Sequence, residues 1–195
     1  ACSLVPRLDA MTFSGAADDQ HLSVNRCNVG VLRGSLSAEF HDWRPPQVAD
    51  YVRLVGTARY APSQSEASVM ADLRRLLDDL EAAFPGLKAV LSKEHDGDRP
   101  TMLPFEVADD SPIVRALGAA HRRVRGTDLT RGPVKPYCFY GTDAAHLLHR
   151  AGMEGIVCGP GGRYNTMPDE RVDAADYLDM IRIYLLSTVE ICGLA

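Results

Sequence analysis

Two glycine-containing loops carry the residues of this chain that are best suited to recognise an anion. One contains YGTDAAH (residues 140–146) and leads into a helix, and the other is GPGGRYNTMPDERV (residues 159–172). Glycines let a ligand approach the backbone closely, and free N–H groups at a helix start favour carboxylates or phosphates. The pattern predicts an anion-binding function for both loops, and the alternative is that their glycines simply make tight turns.

A cysteine and two histidines offer nucleophilic catalysis as a second kind of chemistry. Cys138 precedes a predicted helix that contains His146 and His149. A Cys-His hydrolase needs the two side chains within hydrogen-bond reach and a third group that orients the histidine. The spacing enforces neither condition, and the apolar run around Cys138 is typical of a buried thiol.

The first half of the chain predicts a sheet with helices on one face. Strands are expected in CNVGVLRGSL (27–36), VADYVRLVGTARY (48–60) and LKAVLS (87–92). Ser63 and Glu66 have the spacing of a capping box that starts a helix, and Pro85-Gly86 ends it. The apolar residues of this helix form one predicted stripe, namely Val69, Leu73, Leu76, Leu77, Leu80 and Phe84.

A charged, proline-containing segment, KEHDGDRPTMLP (93–104), predicts a domain boundary, with one domain over residues 1–97 and another over residues 98–195. Helices are expected in the second domain from Ser111-Pro112, from Thr142 or Asp143, and from about Asp173. The first two end at Gly126 and Gly152.

A short apolar strand, EGIVCGPG (154–161), is expected before the last helix. That helix has a predicted buried face comprising Tyr177, Met180, Ile181, Tyr184, Leu185 and Val189. Strands that alternate with helices indicate a parallel or mixed sheet covered by helices. The predicted fold class of the chain is therefore α/β, in a mixed α+β arrangement.

Composition excludes several classes of partner. A net charge of −5 over 195 residues leaves no electrostatic footprint for nucleic acid, and no apolar run predicts a membrane span. The five cysteines are scattered and odd in number, which argues against a disulfide framework and favours a cytoplasmic location. Because the chain starts at Ala1 rather than methionine, we expect it to be part of something longer.

The order of these motifs resembles one metallohydrolase superfamily, which includes acetylornithine deacetylase, succinyl-diaminopimelate desuccinylase, aminoacylase and carboxypeptidase G. The C-terminal part of its catalytic domain is similar to the segment GTDAAHLLHRAGMEGIVCGPG of this chain, which is followed by PDERV and a long helix. Its smaller lid domain is similar to VGVLRGS and PPQVADYVRLVGTARYAPSQSEASVMADLRRLL. The resemblance extends from about Asn28 to Glu190.

The resemblance implies two zinc ions, or sometimes cobalt, held by a histidine, a bridging aspartate and further carboxylates, with a glutamate as general base. These residues lie in the N-terminal half of the family's catalytic domain, and no matching His-x-Asp motif or Glu-Glu pair occurs here. The resemblance therefore implies that this chain consists of an incomplete lid domain (1–97) and the C-terminal part of a catalytic domain (98–195). The resemblance also implies that this chain has no catalytic residue of its own. A separate N-terminal chain is one source of the missing metal ligands and general base.

Two positions depart from the family pattern. The last metal ligand of the family is a histidine about five residues before the helix-entry glutamate, which corresponds to Glu170. Asn165 occupies that position, and an alignment shifted by one residue reaches Thr166. Asparagine lacks the imidazole nitrogen that suits zinc. In the family, one loop of the lid domain carries an asparagine. The corresponding loop of this chain contains Pro45-Pro46, so the asparagine contact is expected to be missing.

Other positions match the residues with which the family binds substrate. Arg59 in GTARY matches a lid arginine that grips the substrate carboxylate, and the alternative is an edge arginine in solvent. The resemblance implies that the N–H groups of Gly161 and Gly162 hold a carboxylate. Three residues are expected to support the site: Thr142 and Asp143 at the start of their helix, and Glu170 at the entry to the last helix.

Two functions follow as expectations. The first is cleavage of an N-acyl or peptide-like amide in a small carboxylate-bearing substrate, by a homodimer that pairs through its lid domains. The second is a non-catalytic binding or dimerisation module that keeps the fold without the chemistry.

Overall fold

The computed structural model describes residues 1–38, 48–94 and 101–194. They divide into two compact units, Ala1–Thr101 and Met102–Ala195, and the division lies within the charged segment 93–104. Helices combined with small antiparallel sheets confirm the mixed α/β class.

An antiparallel ribbon and one long helix form the frame of the first unit. The pairing of the ribbon runs from Arg26 opposite Arg59 to Ser35 opposite Tyr51, and both of the strands predicted here are confirmed. The elements are α1 (Leu4–Asp9), α2 (Asp19–Ser23), β1 (Arg26–Ser35), β2 (Tyr51–Arg59) and α3 (Glu66–Ala83). Gly56 is required at its position, because a Cβ there would lie 2.2 Å from the carbonyl oxygen of Asn28.

The third predicted strand, residues 87–92, is wrong. This segment has no regular secondary structure, and Val90 is 92% exposed. Its backbone bonds to side chains of α3 instead of to a strand: Ala89 donates to the Glu81 carboxylate at 2.5 Å and accepts from Arg74 at 2.8 Å. These bonds use backbone groups that a ladder would need.

Helix α3 begins two residues later than the capping box that we predicted. Its N-cap is Ser65, whose hydroxyl accepts from the Ser68 N–H at 3.1 Å in a reciprocal capping box. Ser63 instead accepts from the Ala17 N–H at 3.1 Å and lies 2.8 Å from a ring nitrogen of His21.

The predicted stripe of α3 is buried only in part, because one buried position is a carboxylate. Val69 and Leu80 are buried and Phe84 is exposed, whereas Asp72 is 5% exposed. The Asp72 carboxylate accepts from the backbone N–H and the hydroxyl of Ser14. These bonds attach the N-terminal segment to the helix.

Two helices packed against each other form the core of the second unit. Leu117 and Ala120 of one pack with Met180 and Ile183 of the other. The elements are α4 (Pro112–Arg125), a 3₁₀ turn (Tyr137–Phe139), α5 (Ala144–Ala151), β3 (Gly162–Arg163), β4 (Arg171–Val172) and α6 (Ala174–Cys192).

The helix ends of the second unit follow the sequence signals. Gly126 and Gly152 end α4 and α5 in the left-handed conformation, with φ of 72° and 62°, as predicted. Ser111 stands at the N-cap of α4, but its side chain makes no cap bond and its hydroxyl donates to the Glu154 carboxylate at 2.5 Å.

The predicted strand 154–161 is wrong, and of the predicted buried face of α6 only Met180 is confirmed as buried. Residues 154–161 belong to no strand. The buried residues of α6 are Met180, Ile183 and Ser187. The helix is apolar on several sides, and α4 covers one of them. No helix among the described residues has both the length and the apolarity that crossing a bilayer requires.

Candidate functional site

A hairpin loop of the second unit contains several residues with left-handed backbone conformations. Strands β3 and β4 pair Gly162 with Val172 and Arg163 with Arg171, so residues 164–170 form the connection. Three non-glycine residues of this loop have left-handed backbones: Tyr164 (φ 59°), Thr166 (φ 63°) and Asp169 (φ 64°). Such conformations are costly and concentrate where a loop must hold one shape.

Side chains of the loop hold that shape. The Arg171 guanidinium lies 5.3 Å from the centroid of the Tyr164 ring, which is within the range of a cation–π contact. The Glu170 carboxylate accepts from the Thr166 N–H at 3.2 Å, and the Met167 N–H donates to the Tyr164 carbonyl at 2.8 Å. Glu170, predicted as a supporting residue, therefore bonds within its own loop.

Asn165 is half-buried, and its carboxamide lies over the backbone of Gly162. A Cβ at Gly162 would lie 2.5 Å from Asn165 Oδ1, so this glycine leaves room for the amide group. The Tyr140 hydroxyl lies 3.5 Å from the Asn165 carbonyl oxygen. The position that resembles the histidine ligand of the family therefore presents an amide packed against a neighbouring glycine.

The residues that the structure describes do not fit a zinc site. Over residues 1–38, 48–94 and 101–194, no group of three or more His, Cys, Asp or Glu side chains is arranged to hold a metal ion. Zinc prefers imidazole, thiolate and carboxylate ligands, so the Asn165 amide is a poor substitute. These ranges therefore contain no identified set of ligands for a catalytic metal ion.

Acidic side chains of α6 occupy the helix start next to the hairpin. The Asp173 carboxylate accepts from the N–H groups of Ala175 at 2.8 Å and Asp176 at 3.3 Å. A Cβ at Gly161 would lie 3.2 Å from Asp176 Oδ2, and Arg125 donates to the same carboxylate at 2.8 Å. Any anion at Gly161 must therefore tolerate the charge of Asp176, which Arg125 partly balances.

At the start of α5, the two predicted capping residues divide the role between them. Thr142 Oγ1 accepts from the Ala144 N–H at 3.3 Å, whereas the side chain of Asp143, at the N-cap position, makes no cap bond. Whether Thr142 or Asp143 supports a site stays a prediction. The Asp143 side chain is exposed.

Arg59 lies in the first unit, at the last position of β2, and is exposed. Its partner across the ribbon is Arg26, which is also exposed. Opposite residues on antiparallel strands have Cβ atoms about 5 Å apart, so two guanidinium groups stand at this end of the sheet. The sequence pattern missed Arg26, because only the strand register reveals the pairing. Pro45-Pro46 lies outside the described residues.

One histidine of α5 contacts a backbone carbonyl group. The ring nitrogen Nε2 of His149 lies 2.9 Å from the Pro104 carbonyl oxygen, so the ring acts as a hydrogen-bond donor there. Burial raises the pKa of two other thiols, Cys27 and Cys158, and the Arg125 charge partly offsets the effect at Cys158. Thiols with raised pKa values are poor nucleophiles.

Comparison with known proteins gives one result. The model of Peptidase family M20/M25/M40 matches residues 20–188. The matched region includes parts of both units, with Arg59 in the first and the hairpin in the second. A search of curated proteins found no match.

Proposed function

Because the chain belongs to peptidase family M20/M25/M40, a family of metal-dependent hydrolases, we propose that it is a segment of an amidohydrolase. The proposed reaction is hydrolysis of the amide bond in a small N-acyl amino acid or dipeptide-like substrate that carries a carboxylate. The observation that supports this proposal is the family match over residues 20–188, which includes most of the lid-like unit and the whole hairpin.

In this proposal the chain binds and orients substrate. Residues outside the chain, upstream or on a separate N-terminal polypeptide, hold two zinc ions (or cobalt) and provide the general base. Arg59 and Arg26 concentrate positive charge at one end of the ribbon, and a guanidinium can form two parallel bonds to a carboxylate. The N–H groups of Gly161 and Gly162 provide backbone donors in the other unit.

The substrate-binding part of the proposal can be tested on the chain itself. Titration with an N-acetyl amino acid, followed by amide NMR, is expected to shift the resonances of Arg59 or of Gly161 and Gly162. The Arg59→Gln variant is expected to weaken binding roughly tenfold, because a charge-assisted bond is lost. The matched control is Arg33→Gln, which removes an exposed arginine near the C-terminal end of β1.

The carboxylate preference has its own control ligand. The corresponding N-acetyl amino acid amide keeps the acyl group and the side chain but lacks the negative charge. If it binds as tightly as the acid, or if Arg33→Gln weakens binding as much as Arg59→Gln, the proposed carboxylate recognition is wrong.

A second function is favoured by the contact between Asn165 and Gly162. An amide packed on a glycine, with no three-ligand group among the described residues, suits a non-catalytic binding or dimerisation module. The coding sequence next to the one that encodes this chain distinguishes between the two functions. A His-x-Asp motif and a Glu-Glu pair there would support the hydrolase, and an adjoining sequence without them would support the module.

The proposal also includes a homodimer formed through the lid-like unit and a cytoplasmic location. All five cysteines are free, and free thiols are typical of reducing compartments. Cell fractionation with an antibody to the chain tests the location.

A further inference from the structure

One end of the β1–β2 ribbon presents an exposed polar face. Arg26 stands opposite Arg59 at this end. The next pair on the same face is Asn28 opposite Thr57, and all four residues are exposed. They share a face because directly opposed residues point to the same side of a sheet, as do alternate residues of one strand. We call these four residues the arginine end of the ribbon.

The other side of the same ribbon packs against the core of the first unit. Cys27 is buried in a cluster with Phe13 and with Val69 of α3, and Ala58 packs against that cluster. Neighbouring residues of a strand point to opposite sides of the sheet. Core packing therefore directs the side chains of the arginine end to the side of the ribbon that faces away from α3.

The strand register sets two like charges opposite each other at this end. Opposed residues have Cβ atoms about 5 Å apart, and like charges at that spacing repel each other. The ribbon has a second opposed pair of arginines, Arg33 and Arg53, and there Arg53 forms a salt bridge with Glu94. In the described part of the chain, no carboxylate forms a salt bridge with Arg59. A bound anion would reduce the repulsion between Arg26 and Arg59, so the register favours anion binding at the arginine end.

Two guanidinium groups suit two carboxylates better than one. A guanidinium binds a carboxylate through two parallel N–H bonds, which use both oxygens of that carboxylate. One carboxylate therefore completes the fork of one arginine and leaves the charge of the other unbalanced. Two carboxylates on one small molecule engage both forks and balance both charges. Beside them, Asn28 and Thr57 offer an amide and a hydroxyl that can bond to an acyl amide group.

We propose that Arg26 is a second carboxylate-binding residue and that the ligand of the arginine end carries two carboxylates, as an N-acyl derivative of aspartate or glutamate does. This inference rests on the proposed function, in which Arg59 binds the carboxylate of the substrate. It adds that Arg26 selects a substrate with a second carboxylate, separated from the first by a short carbon chain.

Two ligands of nearly the same shape test the selection. N-acetylglutamate carries two carboxylates, and N-acetylglutamine replaces the side-chain carboxylate by a neutral amide. Wild-type chain is expected to bind N-acetylglutamate at least about threefold more tightly, because the second carboxylate adds a forked, charge-assisted contact at an exposed site. In NMR titrations, N-acetylglutamate is expected to shift the side-chain Nε–H resonances of both Arg26 and Arg59.

Three variants assign the selection to one residue. Arg26→Gln is expected to abolish the preference for N-acetylglutamate and to leave the affinity for N-acetylglutamine unchanged, whereas Arg59→Gln is expected to weaken the binding of both ligands. Arg33→Gln is the matched control, because Arg33 is also exposed and opposite an arginine but lies about 20 Å further along β1. It is expected to change neither affinity. Circular dichroism checks that each variant remains folded.

The possible failures are distinguishable. Equal affinity for the two ligands, or a preference that survives in Arg26→Gln, would overturn the dicarboxylate inference. If Arg59→Gln still weakens the binding of both ligands in that case, the proposed carboxylate recognition stands without it. If neither ligand binds, both are wrong. Sodium sulfate at matched ionic strength is the last control: if it displaces N-acetylglutamate as effectively as N-acetylglutamate itself, the arginine end is a general anion site and the inferred substrate class is wrong.

Discussion

The contact between Gly162 and Asn165 gives the sharpest prediction for the candidate site. In the Gly162→Ala variant, the added Cβ would lie 2.5 Å from Oδ1, 3.3 Å from Cγ and 3.4 Å from Nδ2 of Asn165. Cβ atoms in proteins essentially never lie within 3.0 Å of another non-bonded heavy atom, so the carboxamide must move. Overpacking of this kind costs about 1–3 kcal/mol.

The loop has little freedom to absorb the displacement. Asn165 lies between Tyr164 and Thr166, both with left-handed backbones, and Thr166 is bonded to Glu170. We therefore expect Gly162→Ala to lower the free energy of unfolding by about 1–3 kcal/mol in urea denaturation, unless the hairpin opens locally at lower cost. Amide NMR detects that local opening as large shifts at residues 163–171.

A double-mutant cycle isolates the contact. Asn165→Ala removes the carboxamide, so Gly162→Ala is expected to cost much less in that background, with a coupling energy of at least about 0.5 kcal/mol. If Gly162→Ala changes neither the free energy of unfolding nor the hairpin resonances, or if its cost is the same in both backgrounds, the described packing of Asn165 over Gly162 is incorrect.

Two other predictions concern the core and the buried thiols. Ile183→Ala should lower the free energy of unfolding by about 2–5 kcal/mol in urea, because Ile183 is fully buried, whereas Leu185→Ala, on the exposed side of the same helix, should change it by about 0.5 kcal/mol or less. Equal costs would contradict the assigned face of α6. Burial raises the pKa of Cys158 and Cys27 above 9.0, so the folded state holds these protons more tightly than the unfolded chain. The stability from these thiols is therefore complete below about pH 9 and declines as the pH rises through the folded pKa values, by at most about 1.4 kcal/mol per pH unit for each thiol. Urea titrations from pH 7 to about 10.5 should show a shallower decline in Cys158→Ala, and an unchanged decline would place the Cys158 thiol in solvent.

Local signals in the sequence predicted much of the fold. Left-handed glycines end α4 and α5 at Gly126 and Gly152, and alternation placed β1 and β2 close to their observed bounds. These signals act within a few residues, so they can be read without knowledge of the fold.

The failed predictions concern interactions between distant residues. Short apolar segments indicated strands at 87–92 and 154–161, but a strand also needs a partner, and pairing is not encoded in the segment itself. Helix α6 is apolar on several sides, so periodicity alone could not select the face that meets α4. Asp72 is buried because Ser14, far away in sequence, provides its hydrogen bonds.

The candidate site was predictable only as a set of positions. The resemblance identified Arg59, Asn165 and Glu170, and the family match covers all three. Their surroundings were not predictable: the register that sets Arg26 opposite Arg59 and the amide that lies over Gly162 both depend on backbone geometry. Whether Arg59 and Gly161 bind substrate stays a prediction.

Metal stoichiometry tests the central claim most directly, namely that this chain contributes substrate-binding elements to a hydrolase whose metal ligands lie outside it. Purified chain would be incubated with excess zinc, desalted, and analysed by elemental mass spectrometry alongside Asn165→Ala. We expect zinc far below one ion per chain in both proteins, because the described residues contain no three-ligand group. One or two tightly held zinc ions per chain would contradict the claim, and their loss in Asn165→Ala would place the metal at the hairpin.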